Sequence, residues 1–134
     1  MQKIEILNIY LEQIILNEDR NFVWNKFITA KEFQSLFSEE KTQFKQGDTG
    51  VLNWTHLLFF KMSGNYEIES YQENMHLLMK ISSPNCSSLL LITMEENRNG
   101  VLLRIDHRSF FGPKKIQYRS FFLRHWEKFL KNFS

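Results

Sequence analysis

The sequence predicts an α+β domain, and three observations predict it. Residues 51–107 hold five candidate strands, each set off from the next by a cluster rich in Gly, Asn, Ser or Pro, which is the pattern of an antiparallel β-meander. Ahead of them lie the cap and stripe signals of two short helices, and behind them residues 114–133 repeat large apolar side chains at spacings of three and four. With 134 residues, 43% hydrophobic, five Gly and two Pro, the chain has the size and the apolar content of one domain, spanning 1–134, with its own core.

The first element, residues 4–16, fits two periods. Ile4, Leu7, Leu11 and Ile14 share a helical face, and Leu7, Ile9, Leu11, Gln13 and Ile15 share one side of a strand. Five isoleucines favour the strand, because β-branched side chains suit a pleated surface better than a helix. From Asn17 the signals become helical. Asn17 is a candidate cap, Glu18 and Asp19 put negative charge at the start, and Phe22, Val23 and Phe27 make an apolar stripe that ends near Ile28. Thr29 followed by Glu32 reads as a capping box for a second helix that buries Phe33, Leu36 and Phe37.

The polar stretch 38–50 holds Gly47 and Gly50, and a short strand is expected at 42–44. The meander is expected as strands 51–59, 65–70, 75–81, 87–94 and 101–107, with turns at Met62-Ser63-Gly64, Gln72-Glu73-Asn74, 82–86 and 96–100. Parity sets the inner face. Arg104 and Asp106 must point outward, so Val101, Leu103, Ile105 and His107 point inward. The same argument places Met75, Leu77, Met79 and Ile81 inside opposite His76 and Lys80, and Tyr66 and Ile68 inside opposite Glu67 and Glu69. Gly112-Pro113 breaks the last strand, and Phe122, Trp126, Phe129, Leu130 and Phe133 form the stripe of a long amphipathic helix, 114–133, that lies across a curved sheet.

Composition excludes several function classes. The lone Cys86 forms no intramolecular disulfide and belongs to no C-x-x-C pair, which argues against a thiol-stapled scaffold, a zinc ribbon or a dithiol redox centre and fits a cytoplasmic setting. No run approaches the roughly 18 apolar residues of a membrane span, and Glu5 and Glu12 interrupt the N-terminal apolar stretch that a signal peptide needs, so no membrane association is expected. Residues 104–134 hold eight basic and two acidic residues within a chain of net charge +2. With no RNP signature or finger spacing beside them, they read as a solvated helix face and not a nucleic-acid surface.

The order of one strand, two short helices, an antiparallel sheet and one long C-terminal helix resembles the helix-grip fold of the START-like (SRPBCC) superfamily. Within it, Phe22-Val23-Trp24, the 33–37 helix end, Gly47 and Gly50, the strand Gly64-Asn65-Tyr66-Glu67-Ile68-Glu69, the strand 100–107 with Phe110, and Trp126 with Leu130 are similar to the motifs of the Aha-type branch. That branch is typified by the C-terminal domain of the activator of the ninety-kilodalton heat-shock-protein ATPase. Val101 stands where threonine is usual, Phe37 where a double tryptophan is common, and Ser109 in a slot where glycine is frequent. The resemblance implies a cavity between sheet and helix for lipids or other apolar ligands.

The candidate lining is Trp54, Tyr66, Ile68, Leu77, Met79, Leu103, Ile105 and His107 from the sheet with Phe122, Trp126 and Phe129 from the helix, an apolar and aromatic set with a polar anchor. The same side chains are equally able to fill the space as to line it, because each aromatic buries on the order of 150–250 Å². His107, His56 and His125 are the histidines placed to converge, but they show no metal-ligand spacing, and neither a metal nor a cofactor is expected. No nucleophile elbow or phosphate loop is present, and Cys86 reads as an inert thiol. Leu57-Leu58-Phe59-Phe60 is a run of large apolar residues whose outward members need an explanation, and a homodimer contact or coverage by residues 4–10 is favoured over a ligand gate.

The expectation is therefore a binding domain for a small hydrophobic ligand with no chemistry of its own. The alternatives are a protein-interaction module using the basic helix (Lys114, Arg119, Lys128) or the 57–60 edge, and, third, a cyclase or hydrolase built on His107.

Overall fold

A computed structural model of the chain describes residues 8–56 and 60–133, apart from the side chains of 54–56 and 60–62. The elements follow the expected order: β1 (Ile9–Leu16), α1 (Arg20–Thr29), α2 (Lys31–Gln34), β2 (Thr49–His56), β3 (Phe60–Gln72), β4 (His76–Ser82), β5 (Ser87–Asn97), β6 (Gly100–Phe111) and α3 (Lys115–Phe133). The strands form one curved antiparallel sheet in the order β1-β6-β5-β4-β3-β2. The last strand of the meander turns back to pair with the first, so β1 and β2 are the edges. Helix α3 packs across β6 and β1, and α1 covers β5 and β6, which gives the helix-grip arrangement.

Alternation decides the two faces as expected. Val101, Leu103, Ile105 and His107 of β6, Leu77, Met79 and Ile81 of β4, and Tyr66 and Ile68 of β3 are all buried. On the outer face Arg104 bridges Glu12 of β1 at 3.4 Å and Glu95 of β5 at 3.0 Å, a charge ladder across three strands. Two irregularities adjust the parity. An extra residue between Ile68 and Ser70 lets Tyr71 turn to the core side, where its ring lies 6.0 Å from Trp24 and 5.8 Å from Phe44. Between Arg108 and Phe111 of β6 a second bulge places Ser109 at φ 61 and turns Phe110 inward while Phe111 stays exposed.

Several local expectations are corrected. Helix α1 is capped by Asp19, not Asn17: the Phe22 amide donates to Asp19 Oδ1 at 2.8 Å. Asn17 instead takes φ 61 and donates its backbone N–H to Asn99 O. The Thr29–Glu32 capping box does not form, because Ala30 is the cap of α2 and the Thr29 hydroxyl turns back to Asn25 O at 2.7 Å. Residues 42–44 are not a strand. Phe44 is held there by ring contacts with Phe33, Phe37 and Tyr71, so its burial comes from a loop anchor. Met62-Ser63-Gly64 is strand, paired with Trp54, Asn53 and Leu52, and not a turn. Gly64 serves close approach: a Cβ there would lie 2.5 Å from Ser82 O of β4. Met75 sits in the β3–β4 turn and is exposed, because Asn74 at φ 68 ends the strand pattern one residue late.

Replacing Asp19 with alanine removes the only side-chain acceptor at the start of α1 among the described residues and is expected to cost about 1 kcal/mol, read from urea unfolding. A cost indistinguishable from zero would show that the cap is not needed once α1 is docked.

Candidate functional site

The inner face of the sheet meets the helices through a chain of ring contacts. Tyr66 touches Phe37 (centroids 5.3 Å apart), Phe37 touches Phe33 (5.3 Å), Phe33 touches Phe27 (5.0 Å) and Phe27 touches Phe129 (4.7 Å). The chain continues to Trp126 at 6.0 Å. The spacing of three and four along α3 places Phe122, Trp126, Phe129 and Phe133 on this side, and Phe27 reaches them from α1.

At the α3 end the rings surround one polar cluster. His107 is fully buried, with the rings of Phe122 at 4.4 Å and Phe110 at 4.5 Å. The Trp126 indole N–H donates to His107 Nδ1 at 3.1 Å, and His107 Nε2 lies 2.8 Å from the Ser88 hydroxyl. An indole nitrogen only donates, so Nδ1 is the acceptor and the imidazole proton sits on Nε2, directed at Ser88 Oγ. Burial, with a smaller contribution from the charge of His125, pushes the imidazole down to about 3. His107 is therefore neutral near pH 7 with both nitrogens engaged by the protein. The β6 bulge helps to build the cluster, since the same register shift brings Ser88 opposite Ser109 and Phe110.

Of the expected lining residues, His107, Phe122, Trp126 and Phe129 are brought together at α3, with Leu103 and Ile105 on the strand beneath, all buried. Ile68, Leu77 and Met79 are buried in the middle of the sheet, and Tyr66 belongs to the aromatic group at the β2 edge. The side chains of Trp54, His56 and Phe60, and residues 57–59 of the apolar patch, lie outside the described residues. His125 stacks on Phe121 at 6.0 Å and lies 4.9 Å from Trp126. Among the described residues no group of three His, Cys, Asp or Glu is arranged to hold a metal. Cys86 is buried, and burial raises its thiol pKa, which keeps it a thiol at neutral pH. Among the described residues no helix is long and apolar enough to cross a membrane.

The sequence reading missed Ser88 and a cleft at the β2 edge. Ser88 had a signal, a hydroxyl in parity with Leu90, Ile92 and Met94 on an apolar face. The cleft, of about 360 Å³, lies between residues 37–41 and strands β2 and β3, with Phe37, Lys41, Gly50 and Tyr66 in its lining.

The architecture defines the class, an α+β helix-grip domain. No protein-family model matches the chain, and no curated protein matches it. Solved structures do. The chain is similar to SA2116 of Staphylococcus aureus, a protein of unknown function, with 14% identity and a TM-score of 0.68 over 96% of this chain and 91% of that one. It is similar to MLL2253 of Mesorhizobium loti at 13% identity and a TM-score of 0.71, covering 94% and 93% of the two chains. It is also similar to CalU16 of Micromonospora echinospora, at 16% identity and a TM-score of 0.62, covering 94% and 71%. At these identities the likeness is one of fold.

Proposed function

We propose that this domain is a non-enzymatic receptor for a small apolar molecule taken up between the inner face of the sheet and α3, in the manner of the START-like superfamily. The observation that supports the reading is the nature of the two facing surfaces. They are apolar and aromatic, and the polar groups between them, His107, Ser88 and the Trp126 indole, hydrogen-bond to one another. A guest there needs no polar partner from the protein, and it enters by parting the packed rings. The same cluster argues against an enzyme built on His107, because a neutral imidazole with both nitrogens occupied has no free site for the proton of a substrate. Kinship with the Aha-type branch is supported by Ser109: φ 61 is a conformation that glycine adopts without strain, in the slot where that branch often has glycine.

Native mass spectrometry of the freshly purified full chain tests the proposal. The expected result is a bound apolar species that leaves on denaturation. A fatty acid or sterol at about 100 times its Kd should also stabilise the fold by about 2.7 kcal/mol. A bare chain that no member of such a panel stabilises would refute it.

A second reading, a protein-interaction module, is favoured by the outer side of α3. Lys114, Lys115, Arg124, Lys128 and Lys131 are exposed there, with Glu127 the one acid among them. A partner bound through that face would be released as salt rises, because exposed charges are screened beyond about 8 Å at physiological ionic strength.

A further inference from the structure

The two ends of the sheet carry opposite charge. At the end where β1 leaves the sheet and β6 enters it, residues 17–19, 73–75 and 95–99 hold Glu18, Asp19, Glu73, Glu95 and Glu96, all exposed, with Arg98 the one base among them. At the other end, where β6 runs into α3, residues 82–87 and 108–116 hold Arg108, Lys114 and Lys115 and no acid, and none follows until Glu127. Arg108 is paired with Asp106, so Lys114 and Lys115 supply the net charge of that tip. Glu39 and Glu40 lie at the β2 edge, on the far side of the sheet from β6.

The basic end is also where apolar side chains face water. Phe111 is 78% exposed, the most of any large apolar residue among those described, and Ile116 is 54% exposed. Pro84 and Pro113 are exposed on the same two turns. Single exposed apolar residues are ordinary, but four on two turns that touch one another make a patch.

The patch is held rigidly. The Lys114 amide donates to Asn85 O at 3.1 Å, which ties the β6–α3 turn to the β4–β5 turn. Gly112, at φ +136, lets the two backbones close up, since a Cβ there would lie 2.5 Å from Asn85 O. The β4–β5 turn is closed in its own right, with the Ser83 amide donating to Cys86 O at 2.9 Å and the Ser83 hydroxyl to the same oxygen at 2.8 Å. Phe111 therefore projects from a fixed frame, the bulge at Ser109 having sent Phe110 inward in its place. A contact made through such a frame loses little conformational entropy.

An exposed ring and an aliphatic side chain flanked by lysines suit the boundary of an anionic bilayer, where apolar groups enter the headgroup layer and ammonium groups stay at the phosphates. An acidic polypeptide would satisfy the lysines and leave Phe111 in water. The acidic far end adds direction, because a surface of negative charge attracts one end of the domain and repels the other.

We propose that the tip formed by residues 82–87 and 108–116 docks on an anionic lipid surface, with Phe111 and Ile116 in the headgroup layer and Lys114 and Lys115 on its phosphates. The contact is weak and reversible, as so few anchors make it. It needs no spanning helix, so the sequence argument against a membrane segment does not bear on it. It is also independent of any guest between the sheet and α3, and is tested without one.

The test is co-sedimentation of the full chain at low salt with vesicles of phosphatidylglycerol and phosphatidylcholine in equal parts, against vesicles of phosphatidylcholine alone. The anionic vesicles should bind it about 30-fold better, at about 1 kcal/mol for each of Lys114 and Lys115, and Lys114→Gln with Lys115→Gln should remove most of that preference. Phe111→Ala should weaken binding to the anionic vesicles about 10-fold and leave binding to poly-glutamate, which reads charge alone, unchanged. Lys128→Gln with Lys131→Gln should change little, because Lys131 lies about 24 Å along the helix from Lys115. In Phe111→Trp, acyl chains labelled with bromine should quench fluorescence beyond the level seen with the unaltered chain. Equal binding to both vesicles, or an introduced tryptophan that is not quenched, would overturn the proposal. So would a Phe111→Ala variant that binds as well as the parent, which would make the tip a charged surface for an acidic protein. Every altered side chain is exposed, so loss of fold does not cloud these results.

Discussion

Gly100→Ala is expected to destabilise the domain by about 3 kcal/mol or more, the largest effect of any single methyl group added to it. Gly100 opens β6 at φ +157, opposite Leu16 of β1 on one side and Asn97 of β5 on the other. A Cβ there would lie 1.9 Å from Ile15 O and 3.0 Å from the Leu16 Cα. Both are backbone atoms, which have no rotamer to escape into. The strand that would have to retreat is β1, an edge held in the sheet by β6 alone. Its last turn is also fastened there by the Asn17 N–H to Asn99 O bond. Gly47→Ala is the control. It shares the unfavourable backbone, at φ +90, but an added Cβ meets nothing within 4 Å, so its cost should stay near 1 kcal/mol. Urea unfolding of the two variants separates steric conflict from backbone strain. Equal and small losses would show that β1 shifts at little cost.

The contrast between glycines explains what the sequence made legible. Alternation is a local property, so β4 from Leu77 to Ile81 and β6 from Val101 to His107 were readable residue by residue, down to the inward direction of His107. Gly64 was misread because a turn glycine and a glycine that admits a neighbouring strand look alike in sequence, and only its pairing with Leu52 and the close approach of Ser82 O tell them apart. Thr29 and Glu32 fit a capping box, yet the Thr29 hydroxyl had a nearer acceptor in the last turn of α1. Phe44 was read as strand because its burial is visible in composition while its cause, contacts with α2 and Tyr71, is tertiary. The sites divide in the same way. Residues of the sheet–helix interior follow from parity and helical spacing. The cleft depends on Gln34 gripping Lys41 and on Gly50 lying opposite Tyr66 on the neighbouring strand, relations that no local period encodes.

The stability of the domain should fall with acid, and His107 should contribute a slope of its own to that fall. Its folded imidazole is pushed down to about 3 from an ordinary 6.5, because protonation would place a charge in a fully buried site, with the charge of His125 a smaller cause. It would also set an N–H at Nδ1 against the Trp126 N–H. Above pH 6.5 both folded and unfolded chains carry the neutral ring, and its contribution is fully present. As pH falls below 6.5 the unfolded chain takes up a proton that the folded chain refuses, so stability drops by about 1.4 kcal/mol per pH unit until the folded ring itself protonates near pH 3. At pH 5 the loss relative to pH 7.5 should be about 2 kcal/mol. Carboxylates and other histidines add slopes of their own, and His107→Asn removes this one while leaving theirs. The variant should be less stable at pH 7.5 by about 2 kcal/mol, since asparagine satisfies Ser88 and the Trp126 indole less well. The gap between the two proteins should then close toward pH 5. A gap that stays constant over that range would mean that His107 accepts a proton in the folded state. Where the variant is too unstable to measure, imidazole NMR of the unaltered chain answers the same question, through one ring that stays neutral, with its proton on Nε2, down to about pH 4. A ring held in one tautomer across that range acts as a structural strut between β5, β6 and α3. Any ligand admitted beside it would have to be recognised by shape and apolar surface alone.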